Sequence, residues 1–259
     1  MTDSAVQCFV ADQIATITLD SAMNRNALSK ALVRDLHLAL DLAQRDDVRV
    51  IVLTHTGNTF CAGADLKERL SGPVDSTHIV AAFRRLMDSE RPTIAAVKGY
   101  VRAGGIGLMA SCDLVVVPLT ADFAFTEVRL GVAPAMISVP VMRRCSAADL
   151  ASPFLTGEAF DAAQAKSIGL VNHVVDDVDA QVASLCDSLL KAGPNSLAAT
   201  KQILRSVPGE PVDEAFPRMQ RLSELLFESA EAAEGMGAFL DKRPPSWPTR
   251  AGGIPGPAR

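Results

Sequence analysis

Apolar positions along the first half of the chain recur with two different spacings. Residues 14–19 alternate apolar side chains with threonines, which predicts a half-buried strand. Uninterrupted apolar runs at residues 50–53, 94–97 and 114–117 predict buried strands at 50–53, 93–97 and 114–117. Leucines recur every four residues between residues 28 and 40, which predicts an amphipathic helix. This half of the chain should therefore alternate strands with helices.

From residue 138 onward the pattern is mainly helical. Helices are predicted at residues 139–145, 147–155, 161–167, 178–191, 196–205, 214–227 and 230–240. We see no internal repeat. The change predicts an α/β core with helices on the sheet and a helical C-terminal appendage. We assign the core to residues 1–200, the helical region to 201–243, and a tail rich in proline and glycine, expected to fray, to 244–259.

Two segments rich in small residues, 59–68 and 103–113, each follow the end of a buried apolar run and lead into residues of helical pattern. Such a segment presents backbone N–H groups at a helix N-terminus, where donors lack partners and the helix dipole favours negative charge. If the two segments converge, they would form an oxyanion hole. The alternative is that the small residues only permit close packing.

Glu127 is the candidate acid/base residue. It follows the aromatic end of a further strand predicted at residues 121–125 and precedes the apolar run 132–136, so its carboxyl should be partly desolvated. Desolvation raises a carboxyl pKa toward neutrality, where the group can both accept and donate a proton. The alternative is a solvated glutamate, or one paired with Arg129. The four histidines are far apart in the sequence, and we interpret each as structural.

Charge, cysteine content and the N-terminal sequence exclude several classes of function. A formal net charge of −5 gives no basic field for nucleic acid or an anionic membrane. The five cysteines are scattered, so neither a disulfide framework nor a metal site is predicted. The chain has no leader-like start and no apolar stretch near the ~18 residues of a membrane span. We expect a globular cytoplasmic protein with no nucleic-acid or membrane partner.

Several motifs, in order along the chain, resemble the crotonase, or enoyl-CoA hydratase/isomerase, superfamily. They are NRNALS (24–29), FCAGADLKE (60–68), AAVKGYVRAGGIGLMASCD (95–113), FTEVRLGVAPA (125–135), LTGEAFDAAQAKSIGLVNHVV (155–175) and EGMGAFLDKRPPSW (234–247). The resemblance implies a spiral of ββα turns and C-terminal helices that make trimer contacts, in a homotrimer or a homohexamer. It also implies an acyl thioester of coenzyme A as the substrate, with no separate cofactor.

The resemblance further implies roles for individual residues. The amide N–H groups of Ala64 and Gly104 would hold the thioester oxygen, with Glu127 as the acid/base. The expected coenzyme A contacts are Arg25 near the phosphates, the backbone of Ala62, Ala64, Asp65 and Leu66 around the adenine, and Phe239 and Lys242 from the C-terminal region. The acyl pocket is expected to be lined by the apolar side chains of Leu66, Leu70, Phe83, Met87, Met136 and Ile137.

The chain departs from the two-glutamate pattern of the best-known hydratases at Gly107, where the second glutamate would stand. We expect Glu127 to act alone as base and acid in turn, with Ser138 or Arg129 orienting the water, and Gly107 to leave open the space of a side chain. Members resembling methylglutaconyl-CoA hydratases also carry a small residue there, so the leading hypothesis is hydration of a 2,3-enoyl-CoA. The alternatives are isomerisation of 3-enoyl-CoA to 2-enoyl-CoA and a catalytically silent binder of CoA thioesters.

The helices predicted at 214–227 and 230–240 carry more apolar residues than one buried face needs. These residues are Phe216, Met219, Leu222, Leu225, Leu226, Phe227, Met236, Phe239 and Leu240. We therefore predict a trimer or a hexamer. The alternative is a core formed wholly within one chain.

Overall fold

A computed structural model describes residues 4–72 and 75–247. This part of the chain forms two compact units, residues 4–89 with 93–185, and residues 90–92 with 186–247. All strands of the described residues belong to the first unit. The predicted core boundary near residue 200 falls inside the second unit, and the predicted tail beyond residue 247 lies outside the described residues.

The strands of the described residues form two sheets. They are β1 (Val6–Ala11), β2 (Ile14–Leu19), β3 (Val50–His55), β4 (Thr59–Cys61), β5 (Thr93–Ala96), β6 (Tyr100–Arg102), β7 (Leu114–Pro118), β8 (Asp122–Ala124), β9 (Ala159–Asp161) and β10 (His173–Val175). The larger sheet has the order β1-β2-β3-β5-β7-β10 and is parallel except between β1 and β2. The smaller sheet has the order β4-β6-β8-β9, and its first three strands are parallel.

Helices lie between the strands along the chain, and only helices follow the last strand in the described residues. They are α1 (Lys30–Leu42), α2 (Leu66–Ser71), α3 (Thr77–Asp88), α4 (Gly104–Ala110), α5 (Ala135–Val141), α6 (Ala147–Thr156), α7 (Ala162–Ser167), α8 (Val178–Leu190), α9 (Pro194–Ser206), α10 (Val212–Phe227) and α11 (Ala230–Leu240). Within residues 4–72 and 75–247, no helix is long and apolar enough to cross a membrane.

The order of elements repeats three times in the first unit. A strand of the larger sheet, a strand of the smaller sheet and a helix follow one another as β3-β4-α2, β5-β6-α4 and β7-β8-α5, the last with a 3-10 turn before its helix. The predicted ββα spiral is thereby confirmed. The repeat is one of structure, and the sequence pattern did not reveal it.

The smaller sheet decides where the chemistry-bearing segments meet. Because β4, β6 and β8 are parallel neighbours, their carboxyl ends lie at one edge of this sheet. The residues that leave this edge are 62–65 after β4, 103–104 after β6 and 125–127 after β8. Three positions far apart in sequence are therefore delivered to one side of the fold.

The structure differs from the sequence-based expectations at two places in this unit. The glycine segments were expected to follow the apolar runs directly, but β4 forms the first three residues of the first segment and β6 lies between residue 97 and the second segment. Strands of three residues are too short to show a period. The helix expected from residue 139 begins at Ala135, directly after Pro134 at its N-cap. The fixed φ angle of proline suits a position at the start of a helix.

In the second unit, the buried carboxylate of Glu231 caps the start of α9. Glu231 is 3% exposed and accepts hydrogen bonds from Asn195 N at 2.9 Å, Ser196 N at 2.8 Å and Ser196 Oγ at 2.7 Å. The N-cap position itself is Gly193, which has no side chain to supply an acceptor. A carboxylate from α11 therefore satisfies the amide donors that a helix leaves free at its first turn.

We expect the substitution Glu231→Ala to destabilise the protein by about 2–4 kcal/mol, because two buried amides and a hydroxyl lose a charged acceptor. In a thermal scan this corresponds to a Tm lower by roughly 5–10 °C. Glu228→Ala is the matched control, since this glutamate is exposed and close in sequence. An equal Tm for both variants would contradict the capping role.

Candidate active site

Two loops that precede helices are joined by backbone hydrogen bonds. Ala62 N donates to Arg25 O at 3.0 Å, and Leu28 N donates to Gly63 O at 2.7 Å. The loop before α1 is thereby fixed to the loop that follows β4. The structure thus brings Arg25 and Ala62, two of the predicted coenzyme A contacts, next to each other.

Asp65 and Leu66 continue this cluster. The Asp65 carboxylate accepts from Lys67 N at 3.0 Å and Glu68 N at 3.2 Å, which caps α2, and from Asn24 Nδ2 at 2.8 Å. These hydrogen bonds hold the pKa of Asp65 below its usual value, the bond from Asn24 having the largest effect. Leu66, the first residue of α2, is exposed.

Asn26 anchors the first of these loops, and the sequence analysis missed it. Its side chain is fully buried, with Oδ1 accepting from Ser21 N at 2.7 Å and Nδ2 donating to Thr56 O at 3.1 Å and Thr59 O at 2.8 Å. Its φ of 51° lies in the left-handed region, which asparagine tolerates better than most residues. The motif NRNALS contained the signal, an asparagine between two predicted elements.

The predicted oxyanion donors, Ala64 and Gly104, lie side by side. A Cβ added to Gly104 would stand 3.7 Å from Ala64 N and 3.5 Å from Gly63 Cα. Both residues are half-buried, and within the described residues neither amide donates to a protein atom. Two N–H groups that donate to no protein atom within the described residues therefore lie close together.

Only one of these two amides lies at a helix start, which corrects the expectation that both do. Gly104 is the first residue of α4, preceded by Ala103 at a φ of 46°. Ala64 instead precedes Asp65, whose side chain occupies the first free amides of α2. The positive end of the α2 dipole is therefore occupied by the Asp65 carboxylate. The Ala64 amide contributes only the dipole of its own peptide group.

The strand that leads to Glu127 is joined to the segment before α4 by a backbone hydrogen bond. Ala103 N donates to Ala124 O at 3.0 Å, so the last residue of β8 is bonded to the residue before Gly104. Glu127 follows Ala124 by three residues, in the 3-10 turn Thr126–Leu130. Three residues span at most roughly 11 Å. The Glu127 backbone therefore lies within roughly 11 Å of Ala124, the residue that is bonded to the segment before α4.

The carboxyl of Glu127 is desolvated and unpaired. Its Oε2 is buried and has no hydrogen-bond partner within the described residues. Burial raises the pKa of Glu127 above the usual value for a glutamate. Arg129, the alternative ion-pair partner, donates instead to Thr156 O at 3.0 Å. The salt-bridge alternative is therefore wrong.

The residues expected to orient water have other partners. Ser138 Oγ donates to Ala135 O at 2.7 Å, inside its own helix, and Arg129 is held by Thr156. Their predicted role gains no support from these contacts. A water beside Glu127 would have to be oriented by Glu127 itself or by the substrate.

The expectation that Gly107 leaves open space is also wrong. A Cβ added to Gly107 would lie 2.5 Å from Ile137 Cγ2, 2.9 Å from Ile137 Cβ and 3.1 Å from Phe83 Cε2. Ile137 and Phe83 are 2% and 4% exposed. The volume that a second glutamate would occupy is therefore filled by two apolar side chains.

Phe239 and Lys242 belong to the second unit. Phe239 lies near the C-terminal end of α11 with 83% of its surface exposed, and Lys242 follows two residues after that helix. Both side chains are available at the surface of that unit. Their predicted contact with coenzyme A stays a prediction.

A cavity of about 610 Å³ opens between α1, α2 and α3. Its lining mixes charged, imidazole and apolar side chains and includes Leu28 and Asp65 from the two joined loops. None of the six residues expected to line the acyl pocket faces this cavity. It is therefore a neighbour of the candidate site, separate from the pocket that the resemblance predicted.

The fold and these segments define an acyl-CoA enzyme of the crotonase type, and comparison with known proteins identifies the family. A model of the enoyl-CoA hydratase/isomerase family matches residues 10–250. The chain belongs to the enoyl-CoA hydratase/isomerase family, whose members act on acyl-CoA thioesters, and it is an enzyme of that family. The family predicted from the motifs is confirmed.

Three similar proteins illustrate how much of the chain this likeness covers. The 2,3-dehydroadipyl-CoA hydratase of Escherichia coli is 33% identical over 246 residues, 92% of this chain and 96% of that protein. An enoyl-CoA hydratase structure from Mycobacterium avium is 42% identical, with a TM-score of 0.72 over 95% of this chain and 100% of that one. An enoyl-CoA hydratase structure from Shewanella pealeana is 27% identical, with a TM-score of 0.90 over 94% and 96%.

We expect the substitution Glu127→Gln to raise the Tm at neutral pH. Because the pKa of Glu127 is raised in the folded state, the ionised carboxylate opposes folding above that pKa, whereas the protonated form does not. The neutral amide avoids this cost. The Tm advantage of the variant should be present at neutral pH and shrink toward zero as the pH falls below about 4.5.

Thermal scans of both proteins across this pH range provide the measurement. Glu158→Gln is the control, because that side chain is exposed and its substitution should not change the pH profile. Equal Tm values for Glu127→Gln and the parent at every pH would show that the Glu127 carboxyl is solvated in solution.

Proposed function

We propose that this protein is an enoyl-CoA hydratase that adds water across the 2,3-double bond of an acyl thioester of coenzyme A. One observation carries the proposal, namely two adjacent, unengaged amides at Ala64 and Gly104 beside a segment that presents the buried, unpaired carboxyl of Glu127. Membership of the family supports the substrate class.

The two amides supply the electrostatic part of the reaction. Attack at C3 of the enoyl group moves negative charge onto the thioester oxygen, and two fixed N–H dipoles stabilise that charge more than they stabilise the neutral carbonyl. Losing one donor of such a pair typically costs about 2.7–4 kcal/mol of transition-state stabilisation.

Glu127 supplies the proton transfers. The carboxylate removes a proton from water as the hydroxyl oxygen bonds to C3, and the resulting acid gives that proton to C2. The balance is one water added and the carboxylate restored. Burial raises the pKa of Glu127, which moves its titration toward neutral pH and so favours both steps.

The coenzyme A part of the substrate is assigned to the joined loops. Arg25, exposed at the surface, faces the phosphates in this proposal, and the backbone of Ala62, Ala64, Asp65 and Leu66 holds the adenine. The hydrogen bonds that join these loops support the assignment, because they fix the backbone before any ligand arrives.

Isomerisation of 3-enoyl-CoA to 2-enoyl-CoA is the second candidate, and the environment of Gly107 favours it. With Ile137 and Phe83 filling that position, a single carboxylate is left to move protons. One carboxylate suffices to transfer a proton between C2 and C4, whereas hydration also needs an oriented water.

A turnover assay with Glu127→Gln tests these proposals. The parent should hydrate crotonyl-CoA, which is followed as a fall in the absorbance of the conjugated thioester. The turnover rate of the variant should be lower by roughly 10²–10⁴-fold, as expected for loss of a general acid/base. A parent that instead produces this absorbance from 3-enoyl-CoA would be an isomerase. Glu158→Gln, an exposed glutamate, is the control.

No turnover of either substrate class by the parent would contradict both enzymatic proposals and leave the silent binder. That outcome is distinguished from misfolding by binding of butyryl-CoA measured by calorimetry. Undiminished turnover in Glu127→Gln would show that another group carries the proton.

We propose a trimer, or a hexamer of two trimers, as the active assembly. The sequence analysis named nine apolar residues in the last two helices as more than one buried face needs. Six of them are exposed in the second unit, namely Phe216, Leu225, Phe227, Met236, Phe239 and Leu240. Exposed apolar surface of this extent is typical of contact surfaces.

Sedimentation at micromolar concentration should therefore give about three or six times the monomer mass of 27.4 kDa. Phe216→Asp, which puts a charge on a side chain that is 73% exposed, should shift the distribution toward monomer. The exposed Glu228→Ala is the control. A monomeric parent protein would contradict the assembly.

A further inference from the structure

The direction of the Ala64 amide depends on the backbone that precedes it, because the start of α2 is already capped and adds no donor beside it. Two hydrogen bonds hold that backbone. Ala62 N donates to Arg25 O at 3.0 Å, and one residue further on Gly63 O accepts from Leu28 N at 2.7 Å. Both bonds run to the loop before α1, so the Ala64 amide is fixed only as well as this loop is.

Asn26 lies between the two loop residues that make these bonds, and its side chain is fully buried. Its Oδ1 accepts from Ser21 N at 2.7 Å. Its Nδ2 uses both hydrogens, donating to Thr56 O at 3.1 Å and to Thr59 O at 2.8 Å. The side chain therefore ties the loop to the residue that follows β3 and to the first residue of β4.

These contacts close a ring around the segment that follows β4. From the Asn26 side chain the ring runs to Thr59 and along β4 to Ala62. It then crosses the hydrogen bond to Arg25 O and returns along the backbone to Asn26. Supporting hydrogen bonds of this kind hold a functional group in one geometry before the substrate arrives. The Ala64 amide, two residues after Ala62, takes its direction from this ring.

The backbone conformation of the loop points the same way. Arg25 has a φ of 50° and Asn26 a φ of 51°, so two consecutive residues other than glycine lie in the left-handed region. Such a conformation persists where the surrounding structure determines it, and such residues cluster at functional sites. The buried hydrogen bonds of Asn26 supply that support, which keeps Arg25 O in place for Ala62 N.

We propose that Asn26 is a positioning residue that acts through Arg25 and Ala62 to fix the direction of the Ala64 amide. The role rests on the proposed function, because it assumes that this amide receives the thioester oxygen. Asn26 itself does not touch the substrate. A misdirected amide weakens the stabilisation of charge that develops in the transition state more than it weakens the binding of coenzyme A, which many contacts share.

The substitution Asn26→Gly tests the backbone part of the proposal without any ligand. Glycine keeps the left-handed φ without strain, and the change removes all three side-chain hydrogen bonds. Amide hydrogen exchange at Ala62 and Leu28 should be roughly tenfold faster or more. Asn172→Gly is the matched control, since Asn172 Oδ1 accepts from Val115 N at 2.9 Å in the larger sheet, and it should leave exchange at these two amides within about threefold of the parent.

Two measurements with ligand test the functional part. For whichever of crotonyl-CoA and 3-enoyl-CoA the parent converts, the kcat of Asn26→Gly should fall by roughly 10–100-fold, with a change in KM of about threefold at most. The infrared band of the thioester carbonyl in bound butyryl-CoA should lie at lower frequency than in free butyryl-CoA, and this shift should be about halved or smaller in the variant. Asn172→Gly lowers the Tm but should leave kcat and the carbonyl shift unchanged.

The proposal is overturned by exchange in Asn26→Gly that is no faster than in Asn172→Gly, or by a carbonyl shift as large as that of the parent. If Asn26→Gly is insoluble, Asn26→Asp replaces it, because aspartate tolerates the left-handed φ and keeps the acceptor for Ser21 N. If neither variant folds, Asn26 supports the whole fold and the proposal is wrong. An unshifted carbonyl band in the parent itself would contradict the proposed function, and the exchange measurement then decides alone whether Asn26 fixes this backbone.

Discussion

The close approach of two backbone segments, at Gly63 and at Gly104, is the constraint on which the rest of the site depends. A Cβ at Gly63 would lie 2.9 Å from Ala103 Cβ and 3.2 Å from Gly104 N, and the φ of Gly63 is 89°. Only glycine meets both demands without strain. Because no side chain separates the segments, two amides can point at one acceptor, which separate loops rarely allow.

Under the proposed function, the same arrangement would help a single carboxyl to be enough. The backbone beside the two amides is held by the hydrogen bonds to Arg25 O and from Leu28 N, so the peptide dipoles would need no reorganisation when charge develops. Oε2 of Glu127, by contrast, is buried without a hydrogen-bond partner within the described residues, and this burial opposes folding of the ionised form and raises the pKa of the carboxyl. A local cost in stability of this kind is typical of functional sites.

The sequence predicted the parts of the fold that carry long or regular patterns. Most strands of the larger sheet and most helices were predicted, since alternation and four-residue spacing persist over enough residues to be recognised. In the smaller sheet only β8, within the strand predicted at 121–125, was expected, because these strands have three residues each. Asn26 and Ile137 were undervalued for another reason: their importance lies in partners distant in the sequence, which no local pattern reports.

Gly107 shows why one position cannot decide the chemistry of this family member. Judged from the sequence, a missing glutamate is a simple loss that one substitution could reverse. In the fold, α4 is held against β4 at Gly105, and the opposite face is filled by Ile137 and Phe83. The absent carboxylate is therefore a property of the packing of α3, α4 and α5 together, because a side chain at position 107 requires a change on a second element. Under the proposed function, such a site has one carboxyl group, that of Glu127, and its reactivity would come from this group and the two backbone amides.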